Sequence, residues 1–538
     1  MSRGRVAALL AILTLVAIAR IAATYPVFSL TADEPYHIAA GLEWLTQDSY
    51  RVDPEHPPLA RIGFALDAWL AGTRLDPALA PVQQGAPIVY RDAHVVRNVT
   101  AARVANLPWF LLAMAIVFLW TRWVAGTGTA LLAVALFGAL PPTLAHAGLA
   151  TTDMAATATV AAALYAFSRW LDEPRWSRAA VLSLALTVGM ASKFSFIAYF
   201  GVGALVLLGS HLRSSPGGDL GSDLRSSVDL GSDLRSSRSR RGQSFAFFAK
   251  TEKRSSDPIT MKERRCDPIQ LGVAATATVL MVIALYKFNV TGYFSGLQYL
   301  ADHSGGDHRA FLFGEIRQGG WWYYFPVILF FKTPIAFLLL AGTGMVILAR
   351  LGRWDLALIP VAMLGMAMTS RINIGVRHLL PIYPLLAMAA AVAVVWGWKG
   401  SRTGQVLSVT LAGWLFVATA LAHPDYLSYF NEMAGRHPER IASDSNLDWG
   451  QDLYRLAGVV ERERLAPIHL AYFGWADPGV HIPHARPLPL GQCVTGWVVL
   501  SEMKKIAEEP QAYAWLDAHQ PVRRIGASLR LYSIPECR

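Results

Sequence analysis

Long apolar runs are the feature that most limits what this chain can fold into. A hydrocarbon core of about 30 Å is crossed by a helix of roughly 20 mostly apolar residues. Eleven segments approach that pattern, at 6–24, 101–120, 128–146, 148–168, 179–192, 194–210, 271–289, 333–349, 355–370, 378–397 and 404–422. The sequence therefore predicts an all-α polytopic membrane protein with about 11 transmembrane helices.

The composition supports the same class. Of the 538 residues, 54% are hydrophobic and 16% are charged, and the mean hydropathy is +0.34. Soluble domains carry roughly 25% charged residues, so an ordinary soluble enzyme is excluded, as is a disordered or fibrous chain. Three cysteines are too few for a disulfide scaffold. The net charge of +10 says little about partners, because basic residues also fix membrane topology.

The first apolar run decides the orientation. Arg3 and Arg5 precede it, as in a signal peptide, but no small-residue cleavage site follows, so we interpret it as a retained helix. With the N-terminus in the cytoplasm, every predicted inside loop contains a basic residue, as the positive-inside rule requires. These residues are Arg122, Arg169, Arg175, Arg178, Arg350, Arg353, Lys399 and Arg402. An odd number of spans then places the C-terminal segment outside.

The chain divides into a membrane core over 1–422 and a C-terminal segment over 423–538. In the C-terminal segment, helix-like DLYRLAGVVERER is followed by strand-like PIHLAYFG, GWVVLS and RRIGASLRLYSI, which predicts a small extracytoplasmic α/β domain. Cys493 and Cys537 would share this oxidising side and could pair, whereas Cys266 would stay reduced in the cytoplasm.

A polar insert at 211–270 differs in kind from the apolar segments. The motif DLGSDLRSS occurs at 219–227 and again at 229–237, and Ser, Gly and Arg dominate its surroundings. A segment with so little to bury predicts a disordered cytoplasmic loop. It is either a repeat-expanded linker or a contact for anionic lipid.

Two long polar loops, at about 25–100 and 290–332, are predicted on the extracytoplasmic side. Ionisable groups are costly deeper in lipid, so chemistry is expected where such loops meet helix ends. The first loop opens with TADEPYHIAAG, which contains the adjacent carboxylates Asp33 and Glu34. They are candidates for catalytic acids or bases, and the alternative is that they cap the first turn of a helix.

Three further residues are candidates for the same cavity. Glu55 and His56, in DPEHPP, could be two ligands of a divalent ion, or they could belong to a rigid turn supported by proline. Asp153, in ATTDM, could cap the following helix or face the cavity that Asp33 faces. Two ligands alone are weak evidence for a metal, so the sequence leaves a divalent metal open.

Basic residues also occur at helix ends on the outside, where the positive-inside rule does not place them. They are Lys193, Lys332, Arg371, Arg377 and His378. Snorkelling to lipid headgroups would explain each of them separately, whereas an anion site would explain all of them together. Carboxylates and cations at one membrane face would suit a bound phosphate with a hydroxyl group beside it.

Two more motifs have alternative interpretations. The aromatic run GWWYYFPVILFF is typical of an interfacial belt, but it could also form a wall for a lipid chain or a sugar. The motif SDSNLDWGQDL contributes Asp444, Asn446, Asp448 and Gln451, which could form a structural turn or reach a second substrate.

These motifs together resemble a known family. TADEPYHIAAG, DPEHPPLARI, ATTDM, SKFS, GWWYYFPVILFFKTP, RHLLPIYPLL, SYFNEMAG and SDSNLDWGQDL look like the bacterial branch of the dolichyl-phosphate-mannose protein mannosyltransferase superfamily (family 39). The resemblance runs from about 30 to 475, broken by the insert at 211–270. It implies a glycosyltransferase of the GT-C fold, related to the lipid A aminoarabinose transferase, in the bacterial plasma membrane.

The resemblance also implies roles for individual residues. It assigns the catalytic carboxylate to Asp33, with Glu34 in a supporting or acceptor-binding role. It implies a polyprenyl-phosphate sugar as donor, whose phosphate contacts Lys193 and Arg377 and, with less support from the motifs, His378 and Lys332. Asp33 would then act as general base in an inverting displacement, and Asp33→Asn should cost at least about 10²–10⁴-fold in rate.

The acceptor stays open between a hydroxyl on a protein, a lipid or a glycan. The eukaryotic members carry a β-trefoil domain in a lumenal loop, and no loop here is long enough for one, so protein O-mannosylation is not implied. Membrane lipids are expected partners and nucleic acid is not. Two other functions fit the same residues: a transporter or flippase of lipid-linked sugars, and a binding subunit without catalytic activity.

Overall fold

The computed structural model of the protein describes residues 1–213, 267–305 and 308–537. This part of the chain is mostly helical, with a two-stranded hairpin and a five-stranded sheet. The predicted class, a helical membrane core with a small C-terminal α/β unit, is confirmed. The predicted disorder at 211–270 lies outside the described residues, except for helix ends at 211–213 and 268–270.

The α-helices and strands follow one another along the chain with short connections. The helices are α1 (Arg3–Ala22), α2 (Glu34–Gln47), α3 (Leu59–Leu70), α4 (Gly85–Val89), α5 (Val95–Val104), α6 (Leu107–Ala125), α7 (Thr127–Phe137), α8 (Pro141–Ala147), α9 (Asp153–Asp172), α10 (Trp176–Met190), α11 (Ser195–Arg213), α12 (Pro268–Leu285), α13 (Val290–Gly305), α14 (Tyr324–Lys332), α15 (Ile335–Arg350), α16 (Trp354–Ala367), α17 (Tyr383–Lys399), α18 (Arg402–Leu421), α19 (Leu453–Glu463) and α20 (Pro478–His481). The strands are β1 (Arg309–Leu312), β2 (Glu315–Gln318), β3 (Ile468–Ala471), β4 (Ala485–Pro487), β5 (Gly496–Ser501), β6 (Arg523–Ile525) and β7 (Leu529–Ile534).

All eleven predicted apolar segments coincide with helices, and the chain is a multi-pass membrane protein. Among the described residues, six helical stretches are long and apolar enough to cross a membrane alone. They are Arg3–Ala22, Val95–Ala125, Ser195–Arg213, Pro268–Leu285, Val376–Lys399 and Arg402–Leu421. Two bent pairs, α7 with α8 at 69° and α14 with α15 at 116°, raise the number to eight. Helices α10 and α16 are apolar but shorter.

Of the eleven predicted spans, five are not among the six stretches that are long and apolar enough to cross alone: two correspond to these bent pairs, and the other three correspond to α9, α10 and α16. Pro141 and Pro142 begin α8, and Pro334 directly precedes α15. Proline lacks the backbone N–H that would continue the helical ladder, so an apolar run that contains it breaks into two helices with different axes. Length and composition therefore support six to eight spans, whereas hydropathy along the sequence predicted eleven.

Helix α17 lies at the centre of the membrane core. In the stretch Val376–Lys399 that contains it, 83% of the most apolar window is buried, against 11% in α1 and 22% in α18. Helix α15 packs closely against α17, because a Cβ atom on Gly344 would lie 1.8 Å from the carbonyl oxygen of Ala389. Small residues allow this close approach between membrane helices.

The segment at 25–100 is folded, although the sequence predicted only a polar loop there. It contains α2, α3 and α4 and the start of α5, and Gly41 on α2 lies against the backbone carbonyl of Arg61 on α3. Its apolar side chains, among them Leu30 and Phe64, belong to the same buried cluster as Leu453 and Leu531 of the C-terminal segment. The segment at 25–100 and the C-terminal segment therefore share one core.

The C-terminal segment forms the predicted α/β unit. Its five-stranded sheet has the order β4-β3-β5-β7-β6, with β3 parallel to β4 and β5 and the other pairs antiparallel. Helix α19 and strands β3, β5, β6 and β7 fall on the motifs that predicted them. Cys493 and Cys537 form a disulfide, which resolves the pairing that the sequence left open.

Candidate active site

A cavity of about 430 Å³ lies where the segment at 25–100 meets the ends of the membrane helices. Most of the candidates from the sequence contribute to its lining. They are Asp33, Glu55, His56, Lys193, Arg377 and His378. A cavity of this size is typical of small-molecule sites. Residues from three distant parts of the chain thus converge at one place.

Asp33 directly precedes α2 and lies at the edge of this cavity. Its side chain makes no capping hydrogen bond to the helix, and it is 31% exposed. Its Oδ2 atom instead accepts a hydrogen bond from Nη1 of Arg377. The capping alternative for Asp33 therefore has no support in the structure, and the carboxylate faces the cavity.

Glu34 has the opposite environment, and the prediction that it also acts at the site has no support in the geometry. It is fully buried, and both its carboxylate oxygens accept hydrogen bonds from Arg103 at 2.8 Å. The backbone N–H groups of Thr31 and Ala150 donate to it as well. These partners lower the pKa of Glu34 in spite of its burial. Glu34 holds α2 against α5 and the start of α9.

Lys193 and Asp153 form an ion pair at the wall of the cavity. Lys193 lies between α10 and α11, and its Nζ atom donates to Oδ1 of Asp153 at 2.5 Å. Asp153 is 1% exposed and is not a lining residue, so it contributes through Lys193. The other carboxylate oxygen of Asp153 is buried without a hydrogen-bond partner among the described residues.

Arg377 and His378 lie in the first turn of a 3-10 helix, Val376–Ile382, that leads into α17. The SDSNLDWGQDL motif fixes this turn: Oδ1 of Asn446 accepts a hydrogen bond from the N–H of Val376 at 3.0 Å. The guanidinium of Arg377 also stacks on Trp449 of the same motif, 4.5 Å from the ring centre. Part of this motif is therefore structural, and it positions the arginine that contacts Asp33.

Close contact between the two segments requires a glycine. A Cβ atom on Gly375 would lie 2.1 Å from Oγ of Ser445, which donates to the carbonyl oxygen of Ile374 at 2.7 Å. A Cβ atom at this position would displace Oγ of Ser445 from that hydrogen bond.

Lys332 is not a lining residue of the cavity, so the geometry does not support its predicted contact with the donor phosphate. Its Nζ atom is buried and donates to the backbone carbonyl oxygens of Leu427 at 2.8 Å and Asn446 at 2.6 Å. The ammonium group also lies over the ring of Phe430. Lys332 thus joins α14 to the segment after α18, and Arg371 is exposed and outside the cavity lining.

Glu55 and His56 enter the cavity from the segment before α3. Burial, together with the charges of Asp53 and Asp33, raises the pKa of Glu55 to about 7. Burial lowers the pKa of His56 to about 4, so its imidazole is neutral at pH 7. Asp53 is buried beside them, but His56 and Arg61 hold its pKa well below the usual range.

Two groups of side chains have the composition of a divalent-metal site. His37, Asp53 and His56 bring their ligand atoms within 4.8 Å of one another. However, Nη1 of Arg61 lies 3.0 Å from the Asp53 carboxylate, so a cation already occupies the position that a metal would need. The residues there do not fit a metal ion.

The second group lines the cavity itself, and it includes two residues that the sequence analysis missed. Nε2 of His303 lies 2.7 Å from Nε2 of His308 and 3.5 Å from a carboxylate oxygen of Glu55. Two imidazoles and a carboxylate are ligands that Zn²⁺ prefers. The signal was the histidine pair in the polar loop 290–332, but nothing in the sequence placed that loop beside Glu55.

The aromatic run at the start of α14 contains residues of both predicted kinds, those of an interfacial belt and those of a cavity wall. Trp322 is 69% exposed, as expected of an interfacial belt, whereas Phe325 is buried and lines the cavity. Phe194, Leu300 and Met366 line it as well. The lining thus offers apolar side chains to a hydrocarbon chain and charged side chains to an anion.

Comparison with known proteins supports the resemblance seen in the motifs. Residues 95–216 match the family model described as dolichyl-phosphate-mannose-protein mannosyltransferase. No curated protein matches the chain. The matched region spans α5 to α11 and includes Asp153 and Lys193.

Several solved structures are similar to this one over most of the chain. The crystal structure of ArnT from Cupriavidus metallidurans in the apo state has 13% identity and a TM-score of 0.48, and covers 97% of each chain. ArnT from the same organism bound to undecaprenyl phosphate has 13% identity and a TM-score of 0.49, and covers 99% of this chain and 98% of that one. The Archaeoglobus fulgidus oligosaccharyltransferase complex with Zn and sulfate has 14% identity and a TM-score of 0.43. The match covers 94% of this chain and 71% of that one.

Proposed function

We propose that this protein is an integral-membrane glycosyltransferase that moves a sugar from a polyprenyl-phosphate donor to a hydroxyl acceptor. The observation that carries the proposal is the cavity in which the Asp33 carboxylate contacts Arg377, with Lys193 on the same wall. A phosphate leaving group needs cations, and a hydroxyl nucleophile needs a base. The family match over residues 95–216 supports the same activity.

The reaction is a direct displacement at the anomeric carbon. The acceptor oxygen forms a bond to that carbon as the bond to the phosphate oxygen breaks, and the phosphate takes the bonding electron pair. The Asp33 carboxylate accepts the hydroxyl proton as general base, and a single displacement inverts the configuration. Arg377 and Lys193 stabilise the charge that develops on the leaving phosphate.

The ion pairs of the cavity suit this sequence of events. Arg377 contacts Asp33, and Lys193 contacts Asp153, so both cations are neutralised before a donor enters. A donor phosphate competes with Asp33 for Arg377, and the carboxylate is then free to accept a proton. His378 lines the same wall, and its buried Nε2 atom has no partner among the described residues, so it is available to the donor.

The proposal includes the location of the reaction. The N-terminus lies in the cytoplasm, and the cavity and the C-terminal domain lie on the extracytoplasmic side of a bacterial plasma membrane. A divalent cation held by Glu55, His303 and His308 would fix the first extracytoplasmic segment beside α13. Metal analysis of the purified protein and of His303→Gln tests this part separately.

The test is sugar transfer by the purified protein in lipid nanodiscs, from labelled polyprenyl-phosphate sugars to a membrane extract. Asp33→Asn keeps the shape of the side chain and removes its basicity, so we expect the rate to fall by about 10²–10⁴-fold while the donor still binds. Asp67→Asn is the matched control, because Asp67 is 32% exposed, is paired with Arg91 and lies outside the cavity.

Two results would contradict the proposal. Full activity in Asp33→Asn would remove Asp33 from the mechanism. Donor binding without turnover in the wild type, unchanged in the mutant, would favour a transporter or a binding subunit.

A further inference from the structure

A second cavity, of about 400 Å³, adjoins the first. Ile374 lines both cavities. Tyr324 comes from the membrane core, Arg309 and Phe311 from strand β1, Asp444 from the SDSNLDWGQDL motif, and Glu508 from the C-terminal domain. The wall is therefore built by every extracytoplasmic part of the fold except the segment at 25–100.

Asp444 connects this second cavity to the base and the arginine of the first. Its segment is bonded to the turn that carries Arg377 through Ser445 and Asn446. Burial raises the pKa of Asp444 to about 6; the charge of Arg377 opposes this effect, and the charges of Asp33 and Glu508 add to it. A group bound at Asp444 therefore lies within electrostatic reach of the Asp33–Arg377 pair.

The wall carries three carboxylates, Asp444, Glu508 and Glu509, against one cationic side chain, Arg309. Oδ1 of Asp444 accepts the N–H of Ser445 at 2.5 Å, and its Oδ2 atom has no partner among the described residues. Glu508 and Glu509 share a single cation, Lys504, at 2.6 and 3.3 Å. A ligand rich in hydroxyl groups supplies the missing donors.

The lining also contains apolar side chains. Phe311, Ile316 and Met503 contribute them. An aromatic ring and aliphatic side chains in one cavity with a group of carboxylates match a sugar ring, which has C–H faces and hydroxyl edges.

We propose that this second cavity is the acceptor subsite, and that the acceptor is a saccharide. The inference rests on the proposed glycosyltransferase activity. The saccharide binds through Asp444, Glu508 and the apolar side, and one hydroxyl reaches Asp33 past Ile374. That oxygen bonds to the anomeric carbon of the donor sugar, the bond to phosphate breaks with its electron pair, and the proton passes to Asp33.

The test uses the full chain in nanodiscs, labelled donor and an extract of the cell envelope as acceptor, in two treated portions. Periodate cleaves the vicinal diols of saccharides, and proteinase K removes peptides. We expect periodate to abolish transfer and proteinase K to leave it. Acceptor activity that survives periodate but not proteinase K would overturn the saccharide in favour of a peptide.

Two variants test the cavity itself. Asp444→Asn removes the free carboxylate, and Ala507→Trp fills the cavity from the C-terminal domain. We expect each to raise the extract concentration at half-maximal rate by about tenfold or more. Asp517→Asn, in the same domain and exposed, is the control and should match the wild type. Wild-type values in both cavity variants would overturn the subsite.

The outcome for the wild type separates this inference from the proposed function. If the wild type releases and transfers no sugar under any condition, the glycosyltransferase assignment itself fails. If the wild type transfers sugar but neither cavity variant changes the extract concentration at half-maximal rate, the second cavity is not the acceptor subsite and the glycosyltransferase assignment stands.

Discussion

Asp33 and Glu34 are neighbours in the sequence, yet they lie in opposite environments. Asp33 is partly exposed at the cavity and contacts Arg377, whereas Glu34 is fully buried against Arg103. Consecutive residues at the start of a helix point in different directions, so one can act in chemistry while the other holds the backbone. In the structure, Asp33 faces the cavity and Glu34 holds the backbone. Substituting the two residues should therefore have different measurable effects.

Replacing Glu34 by Gln should mainly destabilise the protein. The change leaves the Arg103 guanidinium buried without its counter-charge, which typically costs about 3–5 kcal/mol in the free energy of unfolding. We expect a clearly lower thermal midpoint in nanodiscs for Glu34→Gln, and a wild-type midpoint for Asp33→Asn. An inactive Glu34→Gln protein with unchanged stability would instead restore a catalytic role for Glu34.

Asp448 should make stability depend on pH. Burial raises its pKa to about 7, although Ser501 and the N–H of Met503 donate to it. The folded state therefore holds this proton more tightly than the unfolded state, in which the pKa of Asp is about 3.9. The corresponding stability is fully present below that value and is lost as the pH rises towards 7.

The measurement compares the wild type with Asp448→Asn between pH 4 and pH 8. Relative to the variant, the wild type should lose up to about 1.4 kcal/mol per pH unit within this window. Asp477→Asn, at an exposed position, should keep the wild-type dependence. Parallel curves for the wild type and Asp448→Asn would show that Asp448 does not titrate in this range.

The site could be predicted in part, because some of its residues stand out locally. Asp33, Lys193 and Arg377 are charges at the ends of apolar helices, a position that is costly without a function. Lys332 is at a helix end as well, but its partners are backbone carbonyls of a segment about a hundred residues away. His303 reaches Glu55 through tertiary contacts in the same way. No local pattern encodes such contacts.

At the scale of helices, the apolar pattern predicted where helices lie but not how they are divided. The pattern of hydropathy is continuous through 128–146, yet the chain bends by 69° between α7 and α8. The segment 333–349 begins at a second bend, of 116° between α14 and α15, which directs Lys332 at the end of α14 towards the segment after α18. Side-chain hydropathy does not report backbone hydrogen bonds, so a count based on it overlooks proline breaks.

Helix α15 contains a matched pair of glycines that tests its packing. A Cβ atom on Gly344 would overlap the backbone of Ala389 on α17, whereas one on Gly342 would meet nothing within 4 Å. Gly344→Ala should therefore separate α15 from the central helix and destabilise the protein by several kcal/mol. Gly342→Ala should be neutral or slightly stabilising, because alanine favours helix more than glycine does.

The measurement is the thermal midpoint in nanodiscs, together with the activity at a permissive temperature. Equal effects of the two substitutions would mean that α15 and α17 do not approach as closely as the structure has them.

On the scale of the whole molecule, the segment at 25–100 and the C-terminal segment depend on each other. The apolar residues of 30–102 and those of 453–531 form one buried cluster, and the backbone N–H groups of Ser29 and Ala32 donate to the carbonyl oxygens of Gln451 and Trp449. The segment that carries Asp33 is thus held by the segment that follows the membrane core. The active cavity is a property of the whole chain, although its residues were predicted within separate loops.

The three cysteines allow the orientation of the whole chain to be tested. Cys493 and Cys537 are disulfide-bonded in the segment predicted outside, and Cys266 belongs to the insert predicted inside. In right-side-out membrane vesicles, an impermeant maleimide should label two cysteines after an impermeant reductant and none before it. Inverted vesicles should expose Cys266 without reduction.

Variants assign each labelled position. Cys266→Ser should lose only the signal of the inverted vesicles, and the double variant Cys493→Ser with Cys537→Ser should lose only the signal that requires reduction. Labelling of Cys266 from the outside, with the disulfide protected there, would require the opposite orientation. It would also place the cavity with Asp33 and Arg377 on the cytoplasmic face, because the shared core fixes that cavity and the disulfide to the same side.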